Sequence, residues 1–239
     1  MKGLARAVLA LALALPPALA AELAPLAGAG PLPPSPWRLA TLPQQTLPVT
    51  RFALVDLDGR RALRIEAEGS YGNLVHPLAD ADADAGTLAW HWRVDRPVAG
   101  ADLRRKEGDD SAVKVCAMFD LPLEALPFWE RQKMRLARRL SGEALPAATL
   151  CYVWDPALPA DTVLRNAYSP RLRWLVLRGQ GQALGRWQAE RRDLRADFLR
   201  AFGDEATRPP PLVAVALGAD ADNRGGQSTA YVADLTLTR

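Results

Sequence analysis

The sequence predicts a mainly β protein, an antiparallel two-sheet sandwich of jelly-roll type with two short helices. Three observations carry that reading. About ten short apolar runs follow the two-residue period of half-buried strands. Turn-forming Gly, Pro and Asp residues separate them. Only two stretches show helical spacing, so the βαβ alternation of a parallel sheet is missing. The 239 residues are 49% hydrophobic and 24% charged, with 20 prolines spread along the chain. That composition excludes a disordered chain, and the prolines exclude a long coiled coil.

The elements follow in order. Lys2 and Arg6 form a positive n-region, residues 7–15 are an unbroken apolar stretch, and Ala18-Leu19-Ala20 supplies a small-x-small cleavage motif. The stretch is too short to cross a bilayer, which takes about 20 apolar residues. Residues 1–20 are therefore assigned to a signal peptide, 21–48 to a Pro/Ala-rich leader with Trp37 as core anchor, and 49–239 to a single sandwich domain. The mature protein is expected to be periplasmic or secreted. Lys2 and Arg6 leave with the signal, so the formal charge of +3 falls to about +1. Basic and acidic residues are interleaved, which argues against a nucleic-acid partner.

From Arg51 the period is two. Phe52 to Val55 and the alternating Leu63, Ile65 and Ala67 flank Asp58-Gly59, a hairpin signature. Strand runs follow at 73–78, 88–95, 112–119, 150–154, 174–178, 186–191, 212–217 and 229–237, with a polar loop at 79–86. Leu88, Trp90, Trp92 and Val94 share one strand face and His91 the other. Thr229, Tyr231, Ala233, Leu235 and Leu237 are expected to line one face of the last strand. A helix is expected over 127–140, ended by Ser141-Gly142. A second is expected over 194–202, with Asp193 as N-cap and Gly203 after its end. The first should lay Trp129, Leu136 and Leu140 on the sandwich and leave its arginines in water, rather than touch a membrane.

Several of these segments form an ordered set. Trp90-His91-Trp92, Gly108-Asp109-Asp110 at a strand start, Tyr152-Val153-Trp154, Gly185-Arg186-Trp187, Asp197-Phe198 to Phe202-Gly203, and Asp220-Ala221-Asp222-Asn223 before Ala230-Tyr231 occur in sequence. In order and spacing this set resembles the bacterial secreted family catalogued as domain of unknown function 3047. The resemblance spans Trp37 to Leu237. It implies an exported jelly-roll-like sandwich and no established activity.

The loop Gly218 to Gly226 places Asp220, Asp222 and Asn223 at the spacing of oxygen ligands, so a structural Ca²⁺ is a candidate cofactor there. It is not an EF-hand: Arg224 stands at a ligand position and the closing Glu is missing. Asp109 and Asp110 open a strand, where carboxylates bind sugar hydroxyls or a cation. Neighbours on a strand point apart, so a catalytic pair would combine one of them with a distant carboxylate. Trp90 and Trp92 are candidates for stacking on a sugar face. With only two histidines a three-His zinc site is impossible. The sequence also lacks a G-x-S-x-G elbow and a P-loop. Cys116 and Cys151 lie in separate strand runs, either bridged or buried as thiols.

The reading that results is an exported binding module for carbohydrate or another cell-envelope polymer. Trp90, Trp92, Asp109 and Asp110 are its ligand residues, and Asp220, Asp222 and Asn223 its cation residues. No catalytic residue is assigned. The alternatives are a carbohydrate-active hydrolase or lyase using paired carboxylates, and an envelope protein-interaction or membrane-surface protein.

Overall fold

Asp58 and Gly59 both take positive φ, 52° and 75°, the pair a two-residue type I′ turn requires. They join β2 (Arg51–Leu57) to β3 (Arg60–Glu68), with Leu57 opposite Arg60. The computed structural model describes residues 23–42, 44–78, 85–141 and 145–238. The expected signal peptide, most of the 79–86 loop and Gly142 lie outside the described residues. Strands hold 44% of the described residues and helices 14%, which makes the protein mainly β as expected.

The other strands are β1 (Arg38–Ala40), β4 (Tyr71–Pro77), β5 (Thr87–Arg96), β6 (Ser111–Phe119), β7 (Ala148–Trp154), β8 (Val163–Arg165), β9 (Leu172–Arg178), β10 (Gln188–Asp193), β11 (Leu212–Asp220) and β12 (Gln227–Thr238). The helices are α1 (Phe128–Ser141) and α2 (Leu194–Phe202). One sheet has the order β1-β4-β11-β6-β7-β9-β8 and the other β10-β5-β12-β3-β2. All neighbours are antiparallel except β7 and β9. The short β1 and β8 carry too few residues to show a period.

Between the sheets lies the main core. Leu88, Trp90, Trp92 and Val94 of β5 are almost wholly buried, and the two indoles meet Tyr152 and Trp154 of β7 at 5.2 and 5.9 Å. Helix α2 starts at Asp193, whose carboxylate accepts from the Arg195 and Ala196 N–H groups. It closes one end of the core with Phe198 stacked on Phe202. The leader packs earlier than expected. Leu23 and Leu26 are buried ahead of Trp37, whose indole N–H donates to the Ala24 carbonyl.

Two face assignments are corrected. In β12, Thr229 and Tyr231 are not on the Leu235 and Leu237 face. Asp234 adopts φ 53° and the register against β5 slips between Ala233 and Thr236. The extra residue of this bulge reverses the alternation, so Ala230 and Val232 point inward before it. In α1, the stripe Trp129, Leu136 and Leu140 faces solvent, and Met134 is the buried side chain instead.

The seven-stranded sheet is covered on its outer face too. Leu103 and Leu158, from the loops after β5 and β7, pack on Cys116, Cys151, Val153, Trp174 and Val176 in a second small core. Every residue of β7 is consequently buried, which explains why Ala148–Trp154 reads as a continuous apolar run. Cys116 and Cys151 stand opposite each other on β6 and β7 and form a disulfide. The bridged residues are 35 apart in sequence. Loop-closure entropy assigns such a bridge roughly 3–4 kcal/mol. Replacing both cysteines with Ala should lower the urea-unfolding free energy by about that amount. An unchanged unfolding midpoint would reduce the bridge to a packing contact.

Candidate functional site

The acidic residues singled out from the sequence come together at one end of the seven-stranded sheet. Three strands set the floor. Asn73 of β4, Gly218 of β11 and Lys114 of β6 stand in one row across the sheet. Directly opposed residues share a face, so Lys114 lies on the outer face with Cys116, two residues on. A Cβ at Gly218 would fall 2.1 Å from the Asn73 Oδ1 and 2.9 Å from the Gly72 carbonyl oxygen, so a larger residue there would force its neighbours to shift. Asp220 ends β11, and the next turn carries Asp222 and Asn223. Asp109 and Asp110 lead into β6. Asn166 and Tyr168 arrive from the loop between β8 and β9.

Lys114 is 4% exposed, and its Nζ donates to Asp220 Oδ2 at 2.8 Å. The ammonium also lies 4.9 Å from the centre of the Tyr71 ring. Burial alone would lower its pKa, but Asp220, Tyr71 and Asp109 outweigh burial and hold it above the usual lysine value. The other oxygen of Asp220 accepts from the Ser111 N–H at 2.9 Å. Asp110 accepts from the backbone N–H groups of Asn223 and Arg224, at 3.0 and 2.8 Å, and so fixes the turn after β11. Burial raises its pKa against the pull of those two N–H groups.

Asp109 behaves differently. Its Oδ2 accepts from the Asn166 amide at 2.6 Å, while its buried Oδ1 accepts from none of the described residues. Burial pushes this carboxyl up to about 6, helped by Asp220 and Asp110 and opposed by the Asn166 hydrogen bond and Lys114. The buried Asp222 Oδ1 likewise accepts from none of the described residues, and burial, then the nearby Asp220, raises its pKa. Asn223 links the loops: its amide nitrogen donates to the Asp109 carbonyl, and its Oδ1 accepts from the Tyr168 hydroxyl at 2.6 Å. Tyr168, 58% exposed, stands at the rim.

One expectation is corrected by this geometry. Trp90 and Trp92 are 1% and 0% exposed in the inter-sheet core, so neither ring has a face open to a ligand. Their alternation on β5 points them inward because that face is the one the second sheet covers. Of the expected cation residues Asp220, Asp222 and Asn223, two already spend oxygens on protein partners. Both Asp220 oxygens are taken by Lys114 and Ser111, and the Asn223 Oδ1 by Tyr168. Among the described residues no group of three or more His, Cys, Asp or Glu side chains is arranged to hold a metal ion.

The site also contains residues that the sequence reading passed over: Lys114, Asn166, Tyr168, Tyr71 and Asn73. Lys114 did carry a signal. A lone lysine inside the apolar run Ser111–Phe119 is a charge at a core position and calls for a partner. Asn166 and Tyr168 sit in a turn, where their residue types are ordinary. The arrangement supplies two donor-seeking carboxylate oxygens on a floor held by the Lys114–Asp220 pair, with amide and phenol groups at its edge. Residues 35–236 match the family described as Protein of unknown function (DUF3047). No curated protein matches the chain.

Proposed function

We propose, taking as premise that this chain belongs to the DUF3047 family, that it is an exported, non-catalytic module that binds carbohydrate or another hydroxyl-bearing envelope polymer at the acidic cluster. One observation carries the reading: Asp109 Oδ1 and Asp222 Oδ1 are buried acceptors with no donor among the described residues. An acceptor left in that condition costs about 1–3 kcal/mol. A ligand hydroxyl reaching it supplies the missing hydrogen bond. The amides of Asn166 and Asn223 and the exposed Tyr168 ring complete a polar rim of the kind that orients sugars. Export is supported by the export-type N-terminus and by the Cys116–Cys151 bridge, a bond that persists in oxidising compartments.

The test is a glycan array followed by calorimetry on any hit. Binding is expected, and Asp109→Asn or Asp222→Asn should weaken it about tenfold or more, the cost of losing a charged acceptor. EDTA decides the part of a cation: unchanged affinity means that the ligand meets Asp109 and Asp222 directly, and lost affinity means that a cation stands between them. Failure of every glycan to bind, together with variants that change no property of the protein, would discard the proposal.

One observation favours the hydrolase or lyase alternative. A carboxyl with a pKa of about 6 is poised to give up or take a proton near neutral pH. Release of reducing ends from a polysaccharide, lost in Asp109→Asn while binding persists, would establish that reading in place of the first.

A further inference from the structure

Helix α1 turns its apolar stripe to water. Trp129, Leu136 and Leu140 recur at seven- and four-residue intervals, which places them on one helix face. They are 74%, 57% and 72% exposed, and Phe128 beside them is 56% exposed. The Phe128 and Trp129 rings meet edge to face at 5.1 Å, forming one aromatic knob at the helix start. The opposite face holds the helix to the protein. Met134 is buried there, and the Arg138 guanidinium donates to the Leu145 carbonyl at 2.9 Å. A contiguous apolar stripe of this size on a protein surface marks a contact surface.

Charge identifies the partner. The helix carries five basic residues against one acidic residue, Glu130. Lys133 sits one turn after Trp129 along one flank of the stripe. Arg135 and Arg139, themselves one turn apart, line the other. All three are exposed. Large apolar side chains including Trp, bordered by long cationic ones, are the composition of a helix lying in a bilayer interface. No helix among the described residues is long and apolar enough to cross a membrane. A second copy of this chain fits poorly, because two such stripes face to face would bring their flanking cations together.

We propose that α1 is a membrane-surface anchor that lies flat on a bilayer bearing anionic phospholipid. Phe128, Trp129, Leu136 and Leu140 enter the headgroup boundary, and Lys133, Arg135 and Arg139 meet the phosphates. The inference is independent of the acidic cluster and of any ligand bound there.

The experiment is co-sedimentation of the protein beginning at Ala21, which keeps every described residue, with phosphatidylcholine vesicles with and without phosphatidylglycerol. The protein is expected to pellet with the anionic vesicles and to be released as salt is raised. Arg135→Glu/Arg139→Glu and Leu136→Ser/Leu140→Ser should each lower partitioning about tenfold or more. Neither pair should move the thermal unfolding midpoint, because these side chains are exposed. Absence of binding, or equal binding to the two vesicle types, overturns the proposal. So does a dimer in sedimentation equilibrium that Leu136→Glu dissociates, which would assign the stripe to a second copy.

Discussion

Replacing Asp109 with Asn should make the protein more stable at neutral pH and, on the proposed reading, weaken ligand binding. The folded-state pKa of this carboxyl, about 6, lies above its ordinary 3.8 because burial disfavours the anion. Between those two pH values the folded protein holds a proton that the unfolded chain has released. The contribution of the protonated group is therefore complete below pH 3.8 and is lost as the pH rises through 6. With about 1.4 kcal/mol for each pKa unit, and an allowance for water at the rim, the loss is on the order of 2 kcal/mol. Asn carries no charge to desolvate and keeps an acceptor for Asn166. Urea unfolding should show the variant more stable than the parent at pH 7.5 and equal to it at pH 3. Ligand binding by the parent should fall as the pH drops below 6, where the carboxylate is lost. A variant less stable at pH 7.5 would mean that the Asp109 anion is a structural partner, and the site would lose its central residue.

Lys114→Met should have the opposite character and a larger effect. Lys114 and Asp220 are both nearly inaccessible and lie 2.8 Å apart. Removing the ammonium leaves a buried carboxylate whose remaining donor is the Ser111 N–H, a change that costs about 3–5 kcal/mol. Adding Asp220→Asn in the same chain removes that stranded charge and should recover part of the loss. A double-mutant cycle by chemical denaturation gives the coupling. Strictly additive effects would show that the pair does not work as a unit. The two experiments would divide the cluster: on the proposed reading the Lys114–Asp220 pair is scaffold, and Asp109 is a group left available for a ligand.

Much of the fold was legible because local rules carried it. Asp58-Gly59 meets the backbone demand of a tight hairpin, Asp193 caps α2, and the alternation of Leu88 to Val94 marks the buried face of β5. The same alternation could not say what lies against a face. Trp90 and Trp92 read equally well as a ligand platform or as core, and the choice depends on where a second sheet, far away in sequence, comes to rest. For α1 the stripe was correctly identified, but its direction depends on Met134 and Arg138 finding partners elsewhere. Asp109, Asp110, Asp220, Asp222 and Asn223 were recognisable by residue type and meet in space. Their partners Asn166 and Tyr168 come from a loop whose position follows from the parallel pairing of β7 with β9, which nothing in the chain's periodicity announces.

The double covering of β6 and β7 has a consequence for how the cluster works. Strands screened by packed layers above and below, and stitched together by a covalent bridge, have little freedom left to lose when something docks beside them. On the proposed reading, the base of the acidic cluster is set before any guest arrives. Asp110 holds the Asn223 turn, so on that reading adaptation to guests of different outline would fall to the exposed Tyr168 at the rim, without disturbing the foundation beneath it.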